Sequence, residues 1–232
     1  LCGALVGIAM SVKTGLAWYL PLAHVQPFEL TFEGEEEGQV RNLPPFTDGD
    51  LSDLKAVFED PAIGKVGHNL KRSALALSQA GVTLRGLVFD TMIASYVLDS
   101  GRRSHDLPAV AMDVLSRKPL TYADVSGTGK SAISFAEVPV TEASNYLCEL
   151  ADLSARLAAH FREELEEGSL GDLMAQLEMP LIPVLIRMEL AGLAIDEDFF
   201  RNMGLKLKQE LELIQQEIFK ISGCDFNLNS TP

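Results

Sequence analysis

The chain has 232 residues, 47% of them hydrophobic, which is enough for one large domain or a domain and a half. Its net charge of −14 argues against strong non-specific DNA binding, because phosphate contacts need Lys and Arg. No apolar run approaches the length of a membrane span, and the apolar N-terminus lacks the basic residues of a signal peptide. Cys2, Cys148 and Cys224 are far apart, which fits reduced cytosolic thiols and gives no zinc-site spacing.

Residues that favour β structure come first and predict two strands, over residues 4–13 and 16–22, joined at Thr14 and Gly15. Residues 28–50 are rich in Glu and Pro, which is typical of a solvated acidic loop; a regulatory acidic patch is the alternative. The next elements are predicted, in order, as a helix over 50–59, a strand over 65–67, a helix over 70–80 capped by Gly81, a strand over 87–89, a helix over 91–98, and a helix from Ser104 or Asp106 to Leu115.

The longest helical pattern covers residues 142–166, after a connection over 116–138 with weak structural signals. Thr141 is placed to cap this helix, and Gly168 is placed to end it. Small or apolar residues recur along one face and predict packing against a core. They are Leu147, Leu150, Ala151, Ser154, Leu157, Ala158, Phe161 and Leu165.

Residues 167–171 are the best candidate for a domain boundary. Beyond them, residues 172–190 predict a helix interrupted at Pro180 and Pro183, since proline removes a helical hydrogen bond. Residues 199–221 predict a long amphipathic helix with a row of Leu and Ile available for packing.

Several stretches, in this order and spacing, resemble a known family. Residues 65–73 (Lys-Val-Gly-His-Asn-Leu-Lys-Arg-Ser), 89–92 (Phe-Asp-Thr-Met) and 146–152 (Tyr-Leu-Cys-Glu-Leu-Ala-Asp) resemble the exonuclease-like domain of bacterial family A DNA polymerases, the DNA polymerase I family. Residues 178–185 and 226–230 resemble the start of the polymerase domain in that family. The resemblance covers nearly the whole chain.

The resemblance implies an α/β fold with two parts. Residues 1–168 are expected to form a degenerate 3′–5′ exonuclease-like domain of the RNase H-like, DnaQ type. Residues 169–232 are expected to form the N-terminal helices of the polymerase domain, at the base of its thumb. In the family, one more strand precedes the first two, lies centrally in the sheet and carries an Asp-x-Glu metal pair. The strand is therefore expected upstream of Leu1, with or without this pair, and both ends of the chain are expected to be cuts.

The resemblance also assigns five positions of a vestigial exonuclease site. In proofreading members, the positions of Ser73 and Leu150 hold metal-binding aspartates, whereas here a hydroxyl and an alkyl group replace the anionic oxygens that a divalent cation prefers. Tyr146 matches a tyrosine that helps to orient the attacking water, and Asn69 matches an asparagine that helps to orient the substrate strand or the metal site. Asp152 is a neighbouring acid. We therefore expect no catalytic and no metal-binding residue here.

Ordinary structural roles compete with these assignments. Asn69 suits the N-cap of the helix that follows it, and Asp90 suits the same role at the next strand-to-helix turn. Leu150 lies on the apolar face of its helix and is expected to fill volume. Glu149 and Asp152 are the only acids placed to replace the lost metal ligand, and we expect neither of them to do so. Residues 127–131 end like a phosphate-binding loop but lack its first glycine, which excludes nucleotide binding.

These observations favour a fragment of a DNA-directed DNA polymerase used in replication and repair, whose exonuclease-like domain is a non-catalytic structural platform. The fragment is expected to need no cofactor, with Mg²⁺ required only by the polymerase domain. Its expected setting is the bacterial cytoplasm, as a monomer without membrane contact, and it would meet DNA through the full-length polymerase, with weak or no binding of its own. An active 3′–5′ exonuclease of DNA or RNA, similar to ribonuclease D, and an acidic protein-interaction module are the alternatives.

Overall fold

A computed structural model describes residues 5–25 and 41–228 of the chain, so most of the predicted acidic loop lies outside the described residues. Among these residues, no helix has the length and apolar character needed to span a membrane. The strands are β1 (Gly7–Lys13), β2 (Leu16–Pro21), β3 (Lys65–Gly67) and β4 (Leu87–Asp90). The helices are α1 (Ser52–Glu59), α2 (Leu70–Gln79), α3 (Thr91–Leu98), α4 (Leu107–Leu115), α5 (Tyr122–Ser126), α6 (Val140–Glu167), α7 (Gly171–Leu173), α8 (Met179–Ala191) and α9 (Glu197–Ser222).

Strands β1 and β2 form the predicted antiparallel hairpin. Its turn uses Gly15 at φ 80, in the left-handed region that glycine enters without steric cost. Ile8 and Met10 are two residues apart, so they lie on one face of β1, and both pack against a cluster that contains Phe46 and Phe58. One face of β1 therefore packs against this smaller hydrophobic cluster.

Strands β3 and β4 are parallel, with Gly67 opposite Asp90, and α2 lies between them in sequence. The predicted strand–helix–strand order is confirmed. In the part of the chain that the structure describes, the two pairs form separate two-stranded sheets, and α6 contacts β1, β2 and β3. The carboxyl ends of β3 and β4 lead directly into the N-termini of α2 and α3, which places these two helix starts side by side.

Helix α6 is the central element of the main core. The second half of the predicted apolar face is confirmed, because Ser154, Leu157, Ala158, Phe161 and Leu165 are buried. The first half is shifted. Leu153 and Tyr146 are buried there, whereas Leu147 and Ala151 are only half-buried.

The ends of α6 follow the prediction only in part. The helix begins at Val140, after Pro139, so Thr141 lies within its first turn and is not its cap. Proline fixes its own φ and has no N–H to satisfy, which suits it to a helix start. Gly168 ends the helix as predicted, with its N–H donating to the Glu164 carbonyl. The preceding connection is also more ordered than predicted, because Thr121 and Asp124 form a capping box that starts α5.

The helical segment from Gly171 to Ala191 is not interrupted at its prolines, which corrects the sequence-based prediction. Pro183 lies inside α8, and the irregularity comes earlier, as a π-helical segment over Met174–Glu178. In a π-helical segment, each backbone N–H bonds to the carbonyl five residues earlier instead of four, so the regular α-helical hydrogen-bond pattern is interrupted there. Met174, Met179 and Ile182 belong to the same buried cluster as Leu157 and Phe161 of α6.

The chain divides into two compact units, residues 1–190 and residues 191–232. The helical segment that follows Gly168 therefore belongs to the first unit, and the predicted domain boundary over residues 167–171 stays a prediction. In the second unit, the Asp196 carboxylate caps α9 by accepting a hydrogen bond from Phe199 N–H. Most of the apolar residues of α9 are exposed; they include Leu205, Leu207, Leu211, Ile214 and Ile221.

We expect the outer edges of β1 and β3 to exchange their amide protons faster in this chain than in a chain extended upstream by one strand. Within the described residues, β1 pairs only with β2 and β3 only with β4, so each strand keeps an unpaired edge. Hydrogen exchange measured on both chains, with the α6 amides as an internal control, tests this. Equal protection of β1 and β3 in both chains would show that no further strand pairs with them.

Candidate vestigial exonuclease site

The two positions that hold metal-binding aspartates in the resembled family are occupied here by side chains in ordinary structural settings. Ser73 is exposed on α2, and its N–H donates to the Asn69 carbonyl. Leu150 is half-buried on α6 and packs against the core cluster that contains Leu70 and Phe89. The expected packing role of Leu150 is confirmed. A hydroxyl and a hydrocarbon do not form the anionic oxygen set that Mg²⁺ requires.

The two acids beside Leu150 each bond to backbone elsewhere. The Glu149 carboxylate accepts a hydrogen bond from Leu120 N–H at 3.1 Å and lies 4.0 Å from the Arg117 guanidinium. The Asp152 carboxylate accepts from Gly15 N–H at 2.6 Å and from Arg156 Nε at 2.7 Å. Glu149 thus anchors the connection before α5, and Asp152 anchors the β1–β2 turn to α6. Among the described residues, no group of three or more His, Cys, Asp or Glu is arranged to hold a metal ion.

Replacing Asp152 by Asn should lower the free energy of unfolding by about 1–2 kcal/mol, because the contact with Gly15 and the ion pair with Arg156 are both weakened. Burial acts to raise the pKa of Asp152, but the hydrogen bonds from Gly15 and Arg156, with the charges of Arg156 and Arg117, lower it overall. The contribution is therefore present above the usual pKa of 3.8 and is lost as the pH falls through the lowered value.

Denaturant unfolding between pH 3 and pH 7 measures this contribution. The matched variant Arg156→Gln removes only the exposed ion pair and should cost less than Asp152→Asn. If the two substitutions cost the same, the bond to the Gly15 N–H contributes nothing.

Tyr146 is buried among aromatic rings instead of facing an open metal site. Its ring centroid lies 6.2 Å from that of Phe135, and Phe135 stacks on Tyr122 at 5.8 Å. Burial is the main reason that the pKa of Tyr146 is raised, the negative form of Tyr122 adds to this, and the charge of Arg72 opposes it. Tyr146 is therefore packed among these rings, and its hydroxyl stays protonated at neutral pH.

Asn69 forms the turn between β3 and α2. It has φ 58 and ψ 52, a left-handed conformation that asparagine tolerates better than most residues, and its side chain accepts a bond from Arg72 N–H at 3.4 Å. The predicted N-cap role is therefore confirmed. Asn69 also borders a groove of about 260 Å³ beside α8, and the Lys71–Glu189 ion pair lies nearby.

Asp90 does more than the predicted capping of α3. Its carboxylate is 1% exposed and accepts hydrogen bonds from Met92 N–H and Ile93 N–H at the start of α3. It also accepts from Asn69 N–H at 3.0 Å and from Leu70 N–H at 2.6 Å at the start of α2. Capping of α3 alone is therefore an incomplete account. The positive ends of two helices converge on this one carboxylate, which makes it the anion that joins them.

The sequence did not predict a second buried network, which is centred on His24. His24, which is 4% exposed, has Nδ1 at 3.0 Å from the Val138 carbonyl and Nε2 at 2.6 Å from Tyr19 Oη. Since Nδ1–H donates to the carbonyl, Nε2 accepts from the Tyr19 hydroxyl. Burial raises the pKa of Tyr19 to about 12, with a smaller effect from Cys148. No local signal marks this network, because His24 and Val138 are far apart in sequence.

The chain is similar in sequence to known proteins. A family model described as DNA polymerase I, ribonuclease H-like domain, matches residues 46–144. DNA polymerase I of Pseudomonas aeruginosa is 33% identical over 97% of this chain and 24% of its own length, and that of Rhizobium leguminosarum is 35% identical over 92% of this chain and 21% of its own length. The chain therefore spans only a minor part of these relatives.

A solved structure supports the fold. The POL domain of Pol1 from M. smegmatis, in complex with a DNA primer-template and dNTP, superposes with a TM-score of 0.66 over 98% of this chain and 33% of that chain, at 21% identity. The RNase H-like α/β fold predicted from the sequence is thereby confirmed. Over the segment that it spans, the chain belongs to the DNA polymerase I family of bacteria.

Proposed function

We propose that the exonuclease-like domain of this DNA polymerase I segment has no nuclease activity and acts as a structural platform within a DNA-directed DNA polymerase. One observation carries the proposal: Leu150, which the resemblance matches to a metal ligand, packs against the core, while its acidic neighbours Glu149 and Asp152 are bonded to backbone N–H groups. Two-metal hydrolysis needs several carboxylates converging on the ions. Here the carboxylates of Glu149 and Asp152 instead accept hydrogen bonds from backbone N–H groups.

The same contacts support the platform role. Helix α6 contacts the hairpin β1–β2 and the strand β3, and its residue Asp152 bonds to the hairpin turn. Glu149 bonds to the backbone just before α5. A proofreading site would direct such carboxylates to metal ions instead. Here they tie together the elements that surround Leu150.

The proposal extends to the whole protein. The curated relatives carry the name DNA polymerase I, which supports a role in DNA replication and repair in the bacterial cytoplasm. On this proposal DNA is bound through the complete polymerase, the segment itself adds little affinity because of its charge of −14, and the protein is a monomer. Mg²⁺ would serve the polymerase domain only.

We expect isothermal calorimetry to detect no saturable Mn²⁺ or Mg²⁺ site in this chain, and a labelled single-stranded DNA to keep its 3′-terminal nucleotide when Mn²⁺ is present. The reason is the lack of anionic ligands at Ser73 and Leu150. Asp152→Asn serves as the matched variant and should leave the weak background signal unchanged. A micromolar Mn²⁺ site that disappears in Asp152→Asn, or metal-dependent nucleotide release, would instead support an active exonuclease.

A further inference from the structure

Two adjoining cavities lie between α3 and the helical segment that ends in α8, and the proposed function uses neither. The first has a volume of about 250 Å³ and the second of about 260 Å³. Met92, Ile93 and Glu178 line both cavities, which therefore form one groove, called here the α3–α8 groove. All of its lining residues belong to the compact unit over residues 1–190.

The walls of the groove are mainly apolar. In the first cavity the ring of Tyr96, which is exposed, meets the His105 ring edge-on at 5.4 Å between centroids. In the second cavity the wall is formed by Leu181, which is exposed, and by Leu185. Each cavity is smaller than the about 300–1,000 Å³ of typical small-molecule sites, so each one suits a single large side chain.

Glu178 places a negative charge where the two cavities meet. The residue is half-buried, and among the described residues its carboxylate has no hydrogen-bond or ion-pair partner. The other charged residues of the groove are already engaged, because Lys71 pairs with Glu189 and Asp90 accepts hydrogen bonds from two helix starts. A half-buried carboxylate that has lost part of its hydration without gaining a partner favours the approach of a cation.

We propose that the α3–α8 groove is a docking site for a partner protein that inserts an arginine beside an apolar side chain. The planar guanidinium pairs with the Glu178 carboxylate and stacks on the Tyr96 ring, a combination that suits arginine better than lysine. The apolar side chain fills the second cavity against Leu181 and Leu185. The net charge of −14 attracts a basic segment and speeds its association.

An extended peptide segment has the spacing that this groove requires. In an extended chain, residues two positions apart face the same side and lie about 6.6 Å from each other. The two cavities share a wall, so they are neighbouring subsites. An arginine and a leucine that are two positions apart therefore enter both cavities from one segment.

Methyl NMR of the unmodified chain tests the proposal with the peptide acetyl-Leu-Ala-Arg-Ala-Leu-amide. The methyl signals of Met92, Ile93 and Leu181 should shift as the peptide is added. A second peptide with citrulline in place of arginine keeps the shape of the side chain but is neutral, and it should bind about tenfold more weakly. Equal affinities of the two peptides, or no shift of these signals at millimolar peptide, would overturn the proposal.

Two variants and a matched control assign the effect to the groove. Glu178→Gln should weaken binding of the arginine peptide about tenfold and leave the citrulline peptide unaffected, since only the charge pair is lost. Tyr96→Leu should weaken the arginine peptide more than the citrulline peptide. Glu142→Gln removes an exposed acid of α6 that lines neither cavity and should change nothing. Equal losses in Glu178→Gln and Glu142→Gln would mean that net charge alone attracts the peptide, which would contradict a specific site.

The same titration on a chain extended downstream through the polymerase domain distinguishes a partner protein from the rest of the polymerase. The arginine peptide should bind the longer chain with unchanged affinity. Loss of binding there would overturn the proposal, because the groove would then be covered by another part of the same polypeptide. This result does not depend on whether the exonuclease-like domain has nuclease activity.

Discussion

Asp90→Asn should lower the free energy of unfolding by about 3 kcal/mol, one of the two largest effects that we expect from the structure. The carboxylate accepts hydrogen bonds from Asn69, Leu70, Met92 and Ile93, while it is 1% exposed. An amide of the same shape places an NH₂ group against backbone N–H donors at one of its two ends. It also removes the negative charge that two helix N-termini face.

Denaturant unfolding measures this loss, and the melting temperature should fall by about 6–12 °C for a domain of this size. Asp50→Asn is the matched control, since Asp50 is exposed and the same charge is removed; it should change stability by less than about 0.5 kcal/mol. A loss at Asp90 no larger than that at Asp50 would mean that the two helix starts do not depend on this carboxylate.

Leu150→Asp should cost about 3 kcal/mol, because it places a carboxylate against the hydrophobic core. Leu150→Met keeps the apolar contact and should cost less than about 1.5 kcal/mol. Ser73→Asp should be nearly neutral, since Ser73 is exposed on α2. The three variants separate the effect of charge at the core from the effect of a changed side chain.

The double variant Ser73→Asp with Leu150→Asp should melt lower than the unmodified chain and still release no 3′-terminal nucleotide from labelled single-stranded DNA with Mn²⁺. Two carboxylates are only half of the ligands that a two-metal site needs. The effects of ligands that act together are strongly non-additive, so restoring some of them does not restore part of the activity. Metal-dependent release above the background of the unmodified chain would show that the remaining ligands are present, and would contradict the proposed platform role.

Much of the fold is local in origin, so the sequence alone predicts it. The strands β3 and β4 and the helices α2 and α3 were predicted almost residue for residue, because short apolar segments and capping residues such as Asn69 act within a few positions. The packing of Leu150 was predictable for the same reason: helical spacing places it with Leu157. The vestigial character of the site was inferred from the residues at two positions matched to the resembled family.

The sequence alone did not determine the partners of the polar residues. That Asp152 bonds to Gly15, that Asp90 joins α2 to α3, and that His24 bonds to Val138 depends on elements brought together from distant parts of the chain. Pro183 lies within a continuous helix, and the irregularity of that helical segment is a π-helical stretch before α8 that no local signal marked. Spacing and propensity are properties of neighbouring residues, whereas the partner of a buried carboxylate or imidazole is decided by which backbone N–H and C=O groups tertiary packing leaves within reach.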